Sequence, residues 1–295
     1  MTEHALFDGA VVVDKPPGWT SHDVVAKARQ LLNERRIGHA GTLDPAATGV
    51  LVLGVGRATR LLRFASDLEK RYVGEVVLGV ATSTLDDEGE IVAEFDMDGV
   101  SLDDVRAAAA AFTGSIEQIP PMVSALKIGG HRLHALARQG IEVERAPRTV
   151  EVHRFDVEQT ADPGVFRIDV VCSSGTYVRS LAADLGASLG GGAHLRALRR
   201  LSVGHFDLAG AVTPEGVSAA ALRGSSELVA HLAKGVVDTD VAAMVRHGRV
   251  LERRRIGTVG DGPSAIYDEL GNLLAVYAPV SAERSKPLVV FASNP

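Results

Sequence analysis

The chain has 295 residues, 46% of them hydrophobic and 23% charged, with a net charge of −6; it is long for one core, comfortable for two domains, and ordinary in composition for a globular enzyme. Its single cysteine, Cys172, excludes an internal disulfide and a cysteine-built metal site. The opening Met1-Thr2-Glu3-His4-Ala5-Leu6-Phe7-Asp8 has no basic start followed by an apolar run, and no stretch approaches about 18 uninterrupted apolar residues, so no signal peptide or membrane span is expected and the location expected is cytoplasmic.

A negative balance argues by itself against nucleic acid, whose binders usually carry a basic footprint. The charge is segregated, however. Residues 85–104 hold nine Asp or Glu and no Lys or Arg. Residues 57–71 hold Arg57, Arg60, Arg63, Lys70 and Arg71 against Asp67 and Glu69, and residues 246–255 hold five Arg against Glu252. Such runs are often only solvated surface, but together they allow an acidic back and a basic working face.

In chain order, Ala10-Val11-Val12-Val13-Asp14 predicts a short buried strand, broken by Pro16-Pro17-Gly18. Thr20 and Asp23 stand at capping-box spacing for a helix to about Leu32. Residues 37–48, rich in Gly, Thr, Asp and Pro, predict an ordered loop that enters a strand at 50–55. Strands follow at 72–80 and 91–95, on either side of the acidic turn at Asp86-Asp87-Glu88-Gly89. Ser101 and Asp104 open an Ala-rich helix to about Phe112. Pro120-Pro121 starts an irregular, basic stretch that ends near Pro147. Strands at 150–157 and 165–171, a turn at 173–176 and a helix from Tyr177 to Leu189 come next, with Gly190-Gly191-Gly192 ending that helix. Leu198 falls in a segment read as an apolar-periodic helix. The pattern loosens around 218–228, and the last ~65 residues read as a small unit, a helix at 240–246 and then short strands. Strands and helices mix without a regular βαβ repeat, which favours α+β.

Asp44 precedes Pro45, a context that pushes a residue out of the helical region, and most Asp-Pro pairs are only turns. Around this one cluster His39, Gly41, Thr42 and Thr48, in a segment running into an apolar strand. A rigid scaffold presents a carboxylate in this way.

Gly38-His39-Ala40-Gly41-Thr42-Leu43-Asp44-Pro45-Ala46-Ala47-Thr48-Gly49 closely resembles the signature of TruB-type pseudouridine synthases. Five further blocks resemble that family in its order: Asp14-Lys15-Pro16-Pro17-Gly18-Trp19, Lys70-Arg71-Tyr72, Pro120 to Lys127, Cys172 to Arg179, and Gly192-Ala193-His194 through Leu198-Arg199-Arg200-Leu201. They span about residues 10–206. The resemblance implies a central mixed, mostly antiparallel sheet in residues 1–226, an RNA-gripping insertion at about 122–148, and a small β-rich RNA-binding domain of PUA type at 227–295.

The resemblance also implies the activity: isomerisation of uridine 55 in the T-arm of tRNA, without cofactor or metal. Asp44 would be the nucleophile, which has to be ionised and positioned, and Arg179 the cation that offsets its desolvation. Tyr72 would stack on the base and take part in proton transfer. Tyr177 and Leu198 would contact a flipped uridine, with Lys15, His39, Gly41 and Thr42 also on the substrate side. Cys172 ends an apolar strand and reads as a buried structural thiol. Lys127, Arg132, Arg138, Arg145 and Arg148 would grip RNA; Arg132-Leu133-His134 departs from the family, which often has tyrosine at the third position. A stand-alone monomer acting on tRNA is expected. A non-catalytic RNA-folding module and an enzyme for another RNA are the rivals.

Overall fold

A computed structural model describes residues 7–291, except 125–126, 129–130, 134–140, 142 and 259, and gives backbone alone for 127–128 and 131–132. His134 and Arg138, and the side chains of Lys127 and Arg132, therefore lie outside the described residues.

The first strand, β1 (Gly9–Lys15), is apolar at every position from Ala10 to Val13 because both of its faces are covered. Val11 and Val13 pack with Val24, Val25 and Ala28 of α1 (Ser21–Leu32). Ala10 and Val12 face Leu61, Leu62 and Phe64 on the other side. The expected capping box is present: Thr20 Oγ1 accepts from the Asp23 amide, and the Asp23 carboxylate accepts from the Thr20 amide.

The loop expected at 37–48 is only partly a loop. Ile37–Ala40 forms β2, antiparallel to β3 (Thr48–Val55) from Ile37↔Val55 to Ala40↔Val52. Four residues containing glycine and histidine carry little strand propensity, and the pairing with β3 decides the outcome. A short turn of helix, α2 (Leu62–Ser66), follows.

The expected strand at 72–80 is interrupted at Gly79: β4 (Lys70–Leu78) is central, and β5 (Val80–Thr82) leaves to pair with β6 (Ile91–Glu94). The helix α3 (Leu102–Ala111) has its Ser101–Asp104 capping box. Then come β7 (Gly114–Gln118), the short pair β8 (Lys127–Ile128) and β9 (His131–Arg132), β10 (Arg148–Gln159), β11 (Val165–Cys172), α4 (Val178–Ser188), β12 (Ala193–Val203) and β13 (Phe206–Asp207). Leu198 lies on β12, not on a helix. That segment's Ala, Leu and Arg favour helix, but β12 is inserted between β3 and β4, and bulges near Arg196 and Leu201 adapt it.

The main sheet runs β1-β3-β12-β4-β11-β10-β7, with β2 beside β3 and β13 beside β12. All its pairings are antiparallel except β12 with β3, so the fold is mixed α/β with a mostly antiparallel sheet. Gly49 sits at that parallel contact with φ +101, and a Cβ there would lie 2.1 Å from the Arg200 carbonyl oxygen. Gly49→Ala is expected to cost about 3 kcal/mol or more, visible as a lowered urea midpoint; an unchanged midpoint would show that β12 can slide away from β3.

The C-terminal unit is β-rich. Its five-stranded sheet, in the order β14-β16-β17-β18-β15, comprises β14 (Ala233–Val237), β15 (Leu251–Glu252), β16 (Ser264–Asp268), β17 (Leu273–Pro279) and β18 (Arg284–Val290), with α5 (Thr239–Arg246) packed on it. The unit is docked on the main domain through Ala265, Tyr267, Val276 and Val289, against Ala58, Leu61 and Phe64. Arg57 and Arg60 reach it as donors to the carbonyls of Phe291 and Val290. Much of the basic run at 57–71 is thus structural: two arginines clamp the C-terminal unit and Arg71 pairs with Asp169.

Candidate active site

The loop between β2 and β3 carries Asp44 and is pinned along its length. Ser21, the first residue of α1, accepts from the Leu43 amide at 2.9 Å and donates back to its carbonyl. Pro45's carbonyl accepts from the Gly18 amide and from Lys15 Nζ. The Gly41 carbonyl accepts from Arg200 Nη2 at 3.0 Å and the Thr42 carbonyl from Nη1 at 3.5 Å. A carboxylate on a loop held at Gly41, Leu43 and Pro45 has little freedom.

Asp44 opens onto a cleft also lined by Gly41, Thr42, Lys70, Tyr72, Ser124, Ser173 to Arg179, Leu198 and Arg200. Arg179 reaches it from the first turn of α4 and is 95% buried. Its Nε lies 3.0 Å from Asp44 Oδ2 and its Nη1 3.2 Å from Asp86 Oδ2. Nη1 also donates to the Thr84 carbonyl and Nη2 to the Val123 carbonyl. The guanidinium is therefore shared among four acceptors rather than forked onto Asp44 alone. Two carboxylates flank one cation. The Asp44 side chain keeps 39% of its surface, yet partial burial pushes its carboxyl above the ordinary aspartate value; Arg179 pulls the other way and Asp86 adds to the rise.

Tyr72, on β4, is 8% exposed and sits opposite Arg200 of β12 in the strand register. Burial pushes its phenol up, and the Arg200 guanidinium pulls the other way. Tyr177 caps the start of α4, held by Gln118, which accepts from its amide at 2.7 Å and donates to its carbonyl. Burial pushes its phenol up as well. Leu198 supplies an apolar wall.

Two expected substrate residues do not reach this cleft. Lys15 is fully buried, and its ammonium donates to the carbonyls of Pro16, Trp19 and Pro45 at 2.6–3.0 Å. All three of its donors are consumed, so it holds the Asp44 loop from behind. Burial pushes it down to about 8. His39 lies on β2 with its ring edge-on to His22, 5.6 Å between centroids, and is not among the cleft-lining residues. Burial, with His22 and Arg200 adding, pushes it down to about 4, so its ring is neutral at neutral pH. Cys172 is fully buried at the end of β11, and its thiol is pushed up to about 11.

Three functional neighbours escape sequence reasoning. Asp86 sits in an acidic run that looks like solvated surface, yet is 13% exposed and bound to Arg179. Arg200 is 1% exposed and holds the loop carbonyls and that of Val50. Lys70 lines the cleft floor. The motif blocks contain Lys70 and Arg200, but nothing local distinguishes them from the arginines beside them.

A positioned Asp–Arg pair stands at the mouth of a cleft walled by two tyrosines and a leucine, on a mostly antiparallel sheet, the arrangement expected from the resemblance to pseudouridine synthases, a class of isomerases. The description "TruB family pseudouridylate synthase (N terminal domain)" matches residues 29–178, and "tRNA pseudouridylate synthase B C-terminal domain" matches residues 179–242. The chain belongs to the TruB family. It is 45% identical over 300 residues to the tRNA pseudouridine synthase B of Thermobifida fusca, covering 98% of this chain and all of that one. It is 46% identical to that of Rhodococcus jostii, covering 96% and 93% of the two chains. Among solved structures, a chain of a Cbf5–Nop10–Gar1 complex superposes with a TM-score of 0.76 at 27% identity, covering 98% of this chain and 86% of that one. A chain of an H/ACA RNP bound to a substrate RNA gives 0.73 at 25% identity, covering 98% and 86%.

Proposed function

We propose that this protein isomerises uridine 55 in the T-arm of tRNA, with Asp44 as the nucleophile acting on a flipped-out base. The observation that carries the reading is the Asp44–Arg179 contact of 3.0 Å at an open cleft. The full-length relatives named as tRNA enzymes favour tRNA over the RNAs of the Cbf5 assemblies.

A uridine inside a stacked loop cannot meet Asp44, so the nucleotide leaves its stack, at a cost of a few kcal/mol. Tyr72 and Tyr177 offer aromatic surface and Leu198 an apolar one to the displaced ring. Asp44 carries the sugar–base rearrangement: the N1–C1′ bond breaks, the base turns, C5 bonds to C1′, the C5 proton departs, and N1 gains one. Tyr72 takes part in the proton step. The C-terminal unit, as a PUA-like RNA-binding domain with residues 227–295, adds affinity for the same RNA, and Arg145, Arg148 and the rest of the insertion at 122–148 grip the stem. The enzyme works as a monomer without an obligate partner.

The test is tritium release from a tRNA transcript labelled at uridine C5, followed by nucleoside mapping. Release is expected from the wild-type transcript and not when position 55 is cytidine. Equal release from both transcripts would move the target to another uridine, and tight T-arm binding without any release would favour an RNA-folding role.

A further inference from the structure

Two lysines are buried beside the cleft, and they are used differently. Lys15 spends its three donors on three carbonyls and stands behind the loop. Lys70 is 5% exposed and donates to the carbonyls of Ser66 and Leu68 at 2.5 and 2.6 Å. An ammonium has three N–H groups. The third meets no acceptor among the described residues, and Lys70, unlike Lys15, forms part of the cleft wall.

Its surroundings leave that charge uncompensated. Arg200 lies beside it, and neither cation has a carboxylate within ion-pair distance among the described residues. Gly41, with φ +85, brings the Asp44 loop down onto both: a Cβ there would lie 3.5 Å from Arg200 Nη1 and 3.8 Å from Lys70 Cε. A buried cation without a carboxylate beside it is costly. Where one faces a reaction cleft, negative charge that develops during the reaction can offset that cost.

On the reading that a flipped uridine fills this cleft, we propose that Lys70 stabilises the negative charge that reaches the uracil ring when the N1–C1′ bond breaks. The bond pair passes to N1 and spreads over O2 and O4, while C1′ is left electron-poor beside Asp44. C5 then bonds to C1′, the C5 proton leaves, and N1 takes up a proton, so atoms and electrons balance without a co-reactant. The base is anionic only during the reaction, so the contribution falls on the transition state and not on RNA affinity.

The groups facing Lys70 are Arg200 from β12, Cys172 from β11, and Asp67 after α2. Burial, with Arg200 adding, pushes Lys70 down to about 8, whereas Cys172 is pushed up to about 11. Lys15 is also pushed to about 8, so a pH profile needs a Lys70 variant to assign it.

The experiment compares wild type, Lys70→Gln and Lys70→Arg in single turnover, on tRNA carrying uridine or 5-fluorouridine at position 55. Loss of the substrate nucleoside is quantified by mass, because C5 of 5-fluorouridine has no proton to lose and keeps its fluorine once the C5–C1′ bond has formed; RNA affinity and melting temperature are measured alongside. Fluorine withdraws electrons and makes the departing base a weaker base. Lys70→Gln is expected to react about 10²-fold more slowly on uridine, with unchanged affinity, and to lose about tenfold less on 5-fluorouridine. Lys70→Arg keeps the charge and is expected to keep most of the rate while making the fall in activity above about pH 8 shallower, the remainder belonging to Lys15. Equal losses on both substrates, no loss at all, or an alkaline limb unchanged in midpoint and steepness in Lys70→Arg would each overturn the proposal. If Lys70→Gln does not fold, the Lys70→Arg profile alone decides. A wild type that makes no pseudouridine refutes the uridine reading instead; an active wild type with indifferent Lys70 variants refutes only the role of Lys70.

Discussion

Asp44→Asn is expected to reduce tritium release by about 10⁴-fold or more, the scale seen when a covalent nucleophile is removed. Binding of the T-arm should change by less than about threefold, because phosphate and shape contacts dominate RNA affinity. The variant should also melt no lower than wild type. The sign follows from the raised carboxyl. A group whose value is raised by folding contributes stability in its protonated form, below its unfolded value, and loses that contribution as pH rises through the folded value. At neutral pH the ionised Asp44 is therefore an expense of the fold, eased by its 39% exposure, and a neutral amide removes it. Arg179 keeps Asp86 and the carbonyls of Thr84 and Val123 as acceptors. A stable, RNA-binding, inactive protein is the expected combination, and full activity in Asp44→Asn would refute the nucleophile.

Arg179→Met is expected to lower the single-turnover rate by about 10²–10³-fold and to move the acid limb of the pH–rate profile to higher pH. The cation is the largest influence holding the Asp44 carboxyl down, and Asp86 already pushes it up. Without the guanidinium two carboxylates face each other, so Asp44 ionises later. The same change strands the carbonyls of Thr84 and Val123. The folded state should lose about 2–4 kcal/mol, read from the urea midpoint. Arg179→Lys keeps the charge but not four acceptors, and should fall between the two. If the rate drops while the acid limb stays in place, Arg179 orients Asp44 without governing its ionisation.

Local signals were legible wherever the physics is local. Thr20 with Asp23 and Ser101 with Asp104 predict two helix starts that the structure contains, because a cap is made by residues three apart. The run Ala10–Val13 predicts a strand buried on both faces, since only such a strand can hide four consecutive apolar residues. The segment 193–203 misleads because its residues favour helix, and its pairing with β3 and β4 is invisible from within it.

The site divides along the same line. From sequence come the family, the Asp44 loop, and the membership of Tyr72, Tyr177, Arg179 and Leu198, all of which the structure brings to one cleft. Lys15 and His39 belong to the same motifs but stand outside the cleft wall. A motif records which residues a family keeps, not whether each faces the substrate or holds the loop behind it.

What the sequence by itself determined is the chemistry: a carboxylate, a cation, aromatic walls, and the order in which they occur. Tertiary structure alone decided how that chemistry is balanced. Asp86 meets Arg179 across 93 residues of chain, and Arg200 meets the carbonyl of Gly41 across 159. The ionisation of Asp44 depends on the 3.0 Å contact with Arg179 and on the 3.2 Å contact that Arg179 makes with Asp86, and the charge of Lys70 on Arg200 and Cys172, all from segments that are remote in sequence. Coulomb interactions and desolvation act through space and not along the chain, so only the packed sheet sets them.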